Sequence, residues 1–302
     1  MILSTRGLAL ALLIGPLAQV CAAGSLRYCD SDPELSASAQ DRLLRVAAII
    51  KTELESSGQS VALVARSGLA LQRFDQRYSH AGLSLKASPG TTWSVRQLYY
   101  ACDEKRPRIF DQGMSGFVLG VNDPSEGYVS VVFLPGEAAA VLERSALDDP
   151  LALQLLGTTY SANAYPFDQR YQNCNQWLVE LMASAWGALP LGDNPRRQAQ
   201  SWLMSQGYTP SVFSVGWKPL MWLADLVQWL HSDDHPPEDI AAAQFRVSMP
   251  ASIESFVRAK LPGATRMEFC YTVQHLVIRR GWEPIAQGCT PGAGDEVTTF
   301  AS

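Results

Sequence analysis

Apolar and polar positions along this chain repeat with two different periods, and the switches between them mark out its elements. From Ser36 to Ser57, Leu43, Leu44, Val46, Ala47, Ile50 and Leu54 recur three and four residues apart, which predicts an amphipathic helix stopped by Gly58. Val61 to Ala65 is a short apolar strand running into Arg66-Ser67-Gly68. Tyr78 to Leu85 alternates, with Tyr78, His80, Gly82 and Ser84 on one face and Ala81, Leu83 and Leu85 on the other. After the Ser88-Pro89-Gly90 turn, Thr91 to Leu98 puts Trp93, Val95 and Gln97 on a common face. Ala101 to Gly127 carries few periodic cues. Tyr128 to Leu134 reads as strand, Pro135-Gly136 to about Leu147 as an Ala-rich helix, and Leu151 to Leu156 as a short one.

The next helix begins at Cys174. Trp177, Leu178, Leu181, Met182 and Ala185 continue its apolar stripe, Asn173 serves as N-cap, and Gln176 stands where the second half of a capping box belongs. Gly187 and Pro190 end it. Helices are predicted over Pro195 to Gln206 and Lys218 to Leu230, then a polar break at His231 to Glu238. A last portion holds a strand near Phe245 to Ser248, a helix over Ala251 to Ala259 and one long strand from Met267 to Arg279. The fold class is therefore α+β. The expected domains are a leader over residues 1–23, a main domain over 24–230, and a C-terminal α/β subdomain over 231–302.

The leader changes the compartment. Arg6, the apolar run from Gly7 to Val20 and the small residues Ala22, Ala23 and Gly24 have the form of a cleaved signal peptide, so a periplasmic or secreted protein is expected. No later run approaches the roughly 20 apolar residues of a membrane span. Lys and Arg number 24 against 29 Asp and Glu, a formal charge of −5, and no basic-aromatic stripe occurs; nucleic acid is a poor partner.

Export makes the cysteines informative. Of six, Cys21 falls in the leader, leaving five: Cys29, Cys102, Cys174, Cys270 and Cys289. In an oxidising compartment cysteines pair and an odd one stands out. Cys270 with Cys289 and Cys29 with Cys102 is the favoured pairing, one of three that four cysteines allow. Cys174 remains. At a helix start its thiol meets unpaired amides and partial positive charge, which lower a thiol pKa from about 8.5 and favour the nucleophilic thiolate.

A nucleophilic thiol needs a base, and the chain has four histidines. His80 lies in a strand beside Gly82, which leaves space for an approaching group. His231 and His235 have metal-ligand spacing, but Pro236-Pro237 ends any helix there and the stretch reads as a solvated helix end. His275 reads as a packed strand residue. Neither a Gly-x-Ser-x-Gly elbow nor a phosphate-binding glycine loop occurs, and no metal or cofactor is expected.

Ser79-His80-Ala81-Gly82-Leu83, followed much later by Asn173-Cys174-Asn175-Gln176-Trp177, resembles the circularly permuted papain-like hydrolases, the superfamily of NlpC-type cell-wall amidases and lecithin:retinol acyltransferase. The likeness covers roughly Val61 to Gly187. The wider chain resembles a family of exported bacterial proteins known only as a domain of unknown function. The resemblance implies a permuted papain-like fold, with Cys174 as nucleophile, His80 as base and Gln97, on the following strand, as the group that orients the imidazole. Asn175 and the backbone N–H of Cys174 would hold an oxyanion. Arg66 would receive a substrate carboxylate or bridge to Asp75. The implied activity is cleavage of an amide or ester in a cell-wall peptide or acyl substrate through a thioacyl intermediate. The competing expectation is a non-catalytic envelope scaffold that keeps the fold.

Overall fold

In the computed structural model, described over residues 35–190, 192–216 and 227–300, an eight-stranded antiparallel sheet organises the chain. Its strands are β1 (Val61–Arg66), β2 (His80–Leu85), β3 (Ser94–Ala101), β4 (Arg106–Gln112), β5 (Gly127–Phe133), β8 (Thr265–Tyr271), β9 (His275–Arg280) and β10 (Glu296–Thr299). They lie in the order β10-β9-β8-β5-β1-β2-β3-β4. A small second sheet pairs β6 (Ser211–Ser214) with β7 (Gln244–Val247). The protein is thus α+β, built on one large antiparallel sheet.

Helices cover both faces of the central strands, which is why β1, β2 and β5 are buried at every position. On one face, Ala62, Val64, Val95, Val129, Val131 and Phe269 pack against α1 (Ala37–Ser56) and α2 (Met114–Leu119). Helix α1 starts where the pattern puts it: the Ser36 hydroxyl accepts from the Ala39 N–H, and Leu43, Val46, Ala47, Ile50 and Leu54 are buried. Each such large side chain contributes about 1.5–3 kcal/mol on burial. On the other face lie α3 (Gly136–Leu147), α4 (Asp149–Gln154) and α5 (Cys174–Trp186). From β3, Arg96 reaches this side and ties the sheet to the α3–α4 corner, bonding the Ala146 carbonyl and the carboxylates of Asp111 and Asp149.

Helix α5 is buried almost end to end, polar residues included. Asn173 caps it, its Oδ1 accepting from the Gln176 N–H at 2.7 Å. The second half of the expected capping box does not form. The Gln176 amide instead turns inward to the Pro166 carbonyl and to Glu180, a carboxylate with no solvent exposure. Gln172, Gln200 and Arg196 of α6 (Pro195–Ser205) also donate to Glu180.

Residues 231–300, which the polar break sets apart in sequence, are continuous with this architecture. After α7 (Pro237–Ala241) and α8 (Pro250–Lys260), β8 pairs with β5 from Gly127↔Tyr271 to Phe133↔Thr265 and so extends the main sheet. The long strand expected over Met267 to Arg279 is two strands. Thr272 Oγ1 accepts from the N–H groups of Gln274 and His275 and folds the chain into a β8–β9 hairpin. Cys270 and Cys289 form the expected disulfide, and Cys102 is disulfide-bonded as well. Its expected partner, Cys29, lies outside the described residues, as do the leader and most of the helix predicted over Lys218 to Leu230. Among the described residues, no helix is long and apolar enough to cross a membrane.

Candidate active site

The last residues of β1, the first of β2, the end of β3 and the start of α5 meet at one end of the sheet. Cys174, the free cysteine among the described residues, is the first residue of α5 and only 6% exposed. Burial pushes its thiol pKa up to about 12. Against that work the N–H groups of Asn175 and Cys174 itself, the positive charge of Arg66 and the hydroxyl of Tyr160. The helix start thus does favour the thiolate, as the sequence suggests, but desolvation outweighs it and the thiol is protonated at neutral pH.

His80 opens β2. Its Nε2 lies 2.7 Å from Gln97 Oε1, and Gln97 in turn donates from Nε2 to Gln112 Oε1 at 2.9 Å. With the Gln97 carbonyl toward the ring, the tautomer this pair accommodates donates from Nε2 and carries its lone pair on Nδ1, the form a base needs. Gly82 makes the contact possible. It lies between His80 and Gln97 on the same face, and a Cβ there would meet Val95 Cγ1 at 2.6 Å and the Arg96 carbonyl at 2.9 Å. Burial, and after it the nearby Arg66 charge, lower the His80 pKa to about 3 against the opposing effect of the Gln97 bond. The imidazole is neutral throughout the physiological range.

Arg66 sits directly opposite His80 in the β1–β2 register. Its guanidinium lies over the Phe117 ring, donates from Nη2 to Tyr99 Oη at 2.5 Å, and makes a longer contact from Nη1 to the Ser67 carbonyl. Gly68 and Gly120 flank it so closely that a Cβ on either would fall 2.8 or 2.7 Å from its nitrogens. The bridge to Asp75, one of the two alternatives for Arg66, does not form: the partners of Arg66 are a hydroxyl, a carbonyl and a ring, and its Nε has none.

A family model for uncharacterised proteins conserved in bacteria, DUF2145, matches residues 53–257. The chain belongs to this family. The matched stretch of the DUF2145 chain runs from the end of α1 through α8, and so contains Arg66, His80, Gln97 and Cys174 but not the Cys270–Cys289 loop. Searches of curated proteins and of solved structures return no match.

Within the DUF2145 chain, His80 and Gln97 are brought together, whereas Cys174 and His80 are not hydrogen-bonded to one another. Alternation explains the gap. His80, Gln97 and Tyr99 project toward the α1–α2 side, while α5 brings Cys174 in from the α3–α4 side, where Tyr160 packs on Tyr100. Asn175 is also placed differently from its expected oxyanion role: its Nδ2 donates to the Ser79 carbonyl at 3.3 Å, fastening α5 to the start of β2. The backbone N–H groups of Cys174 and Asn175 are what remain for a developing oxyanion.

Three residues that the sequence reading passed over complete the site: Tyr160, Tyr99 and Gln112. Gln112 ends β4, in the stretch without periodic cues, and only its pairing opposite Val95 brings it to Gln97. The His231–His235 stretch is no solvated helix end. His231 stacks on Tyr171, and buried His235 bonds the Asn163 carbonyl. Among the described residues, no group of three or more His, Cys, Asp or Glu could hold a metal ion. A cleft of about 570 Å³ lined by Phe167, Asp168, Arg170, Arg197, Gln200 and Met204 includes none of the site residues.

Proposed function

We propose that this chain is an exported thiol hydrolase or acyltransferase of the permuted papain-like kind, seen in a closed resting state. The observation that carries the reading is the His80–Gln97–Gln112 relay, in which the Gln97 carbonyl faces the imidazole Nε2, at the same end of the sheet as a helix-start cysteine. Export is supported by the leader-like sequence and by disulfide bonding at Cys102, Cys270 and Cys289.

The neutral thiol and neutral imidazole set the order of events. The reading requires the start of α5 to shift around the end of the sheet until Cys174 Sγ reaches His80; His80 Nδ1 then takes the thiol proton as Sγ attacks the substrate carbonyl carbon. The oxyanion forms against the N–H groups of Cys174 and Asn175. His80 returns the proton to the departing amine or alcohol, leaving a thioester on Cys174. Water, deprotonated by His80, then attacks that thioester, and the acid leaves as the thiol is regenerated. An acceptor alcohol or amine in place of water makes the step a transfer. Exported location points to cell-wall peptides, and the superfamily's acyl-chain enzymes to lipid or thioester acyl groups.

The test is alkylation of Cys174 by iodoacetamide at neutral pH. A general-base site loses at least about tenfold in rate when His80 becomes Ala. A second reading, an envelope scaffold retaining the fold, is favoured by the missing Cys174–His80 bond and by burial of both groups. It requires an alkylation rate indifferent to His80.

A further inference from the structure

Among the described residues four arginines are buried: Arg66, Arg96, Arg196 and Arg266. Three have carboxylate partners, Arg96 with Asp111 and Asp149, Arg196 with Glu180, and Arg266 with Glu254 and Glu268. Arg66 is the exception. A guanidinium out of water without a counter-charge is a strongly unfavourable arrangement, and chains of this kind normally pair it. Here the surroundings are shaped to keep it: Phe117 beneath, Gly68 and Gly120 at its sides, and the Tyr99 hydroxyl on one nitrogen. Its Nε has no partner at all. It faces His80 across the β1–β2 pair, and its charge acts on both His80 and Cys174.

We infer that Arg66, with the Tyr99 hydroxyl, is an anion subsite that receives a carboxylate of the substrate beside the bond attacked by Cys174. This rests on the thiol-hydrolase reading and narrows it. An acyl donor carrying a free carboxylate close to its scissile carbonyl, as at the end of a short peptide, supplies the missing counter-charge. A neutral lipid ester does not. Arg66 has the fork geometry for such a group, whereas Lys presents a point charge.

Paired alkylating probes of nearly the same size separate this inference from the catalytic reading. Iodoacetate and iodoacetamide both place carbon on Cys174: the S–C bond forms, iodide leaves, and the thiol proton passes to His80 or buffer. Loss of the Arg66 charge affects the thiol toward both probes alike, so the ratio of the two rates isolates recognition of the carboxylate. We expect iodoacetate to be favoured in the native protein, and Arg66→Gln to reduce the iodoacetate-to-iodoacetamide ratio about tenfold, the effect of one charge-assisted contact. Arg66→Lys should fall between them. Where Arg66→Gln does not fold, Tyr99→Phe should reduce the same ratio by a smaller factor. A ratio unchanged in the variants overturns the subsite. A ratio that depends on Arg66 while the iodoacetamide rate ignores His80 keeps the subsite and overturns the hydrolase.

Discussion

Removing the Glu180 carboxylate should unfold this protein more readily than any other single polar change in α5. Five donors converge on it: the side-chain amides of Gln172, Gln176 and Gln200, and the Nε and Nη2 of Arg196. Glu180 has no exposure, and Arg196 only 9% in its side chain. In Glu180→Ala the guanidinium stays buried without its partner and three amides lose an acceptor, so the loss is about 3–5 kcal/mol, that of a broken buried ion pair. Glu180→Gln should do little better, because its NH2 group faces the same donors. Urea unfolding followed by far-ultraviolet circular dichroism reads the difference at constant m. A double variant, Glu180→Leu with Arg196→Met, removes both charges and should recover part of the loss. The consequence reaches the site. Gln172 also accepts from the Gly157 N–H and donates to the Leu155 carbonyl, and its backbone bridges to Tyr160, which contacts the thiol. Iodoacetamide should therefore reach Cys174 faster in Glu180→Ala under native conditions. A loss below about 1 kcal/mol, or a double variant no more stable than the single one, would refute the network's role.

Three further outcomes follow from local geometry. Gly82→Ala forces a methyl into Val95 and the Arg96 carbonyl and should destabilise by about 1–3 kcal/mol, separating His80 from Gln97; unchanged urea stability refutes it. The His80 ring should show no titration between pH 8 and 5 in its NMR Cε1–H shift, because burial holds its pKa near 3; a midpoint at 6–7 refutes the buried neutral base. Burial raises the Asp234 pKa to about 6, so its contribution to stability is present below the usual carboxylate pKa of about 4 and is lost as pH rises through 6. Asp234→Asn should accordingly stabilise by about 1–3 kcal/mol at pH 7.5 and by progressively less toward pH 4; a pH-independent effect in urea unfolding refutes the assignment.

What could be read from the residues, and what could not, divides along physical lines. Helix α1 and strands β1 to β3 carry their own signals: the Ser36 cap, a regular apolar stripe, and the alternation that sets Trp93, Val95 and Gln97 on one face. Strand β4 lacks that signal because it is the edge of the sheet. Its exposed Arg106 and Arg108 are held by Glu104, so its composition is that of a charged loop. The β8–β9 turn was hidden for another reason. It contains no glycine, proline or asparagine, and a threonine hydroxyl supplies the turn. The pairing of β8 with β5 joins residues about 140 apart, and no local pattern encodes such a partner. Nor does spacing announce that four polar residues from three segments will converge on Glu180.

The buried polar groups sort into two kinds, and the division bears on where chemistry occurs. Glu180 and Glu268 are saturated. Glu268 takes bonds from Tyr78, Arg77 and the Ile285 N–H, beside Arg266, and such networks hold segments in place. At the end of the sheet near Cys174 the pattern reverses. Arg66 Nε and Asn175 Oδ1 are buried without partners, and the thiol is held neutral although a helix start and an arginine favour its ionised form. Buried unmatched atoms also occur on Trp93, Arg266 and Tyr271; what sets Arg66 and Asn175 apart is that they stand beside the free cysteine of the described residues, and unmatched polar groups are expected at functional sites. An incoming carboxylate and a developing oxyanion are the two acceptors that would complete this one.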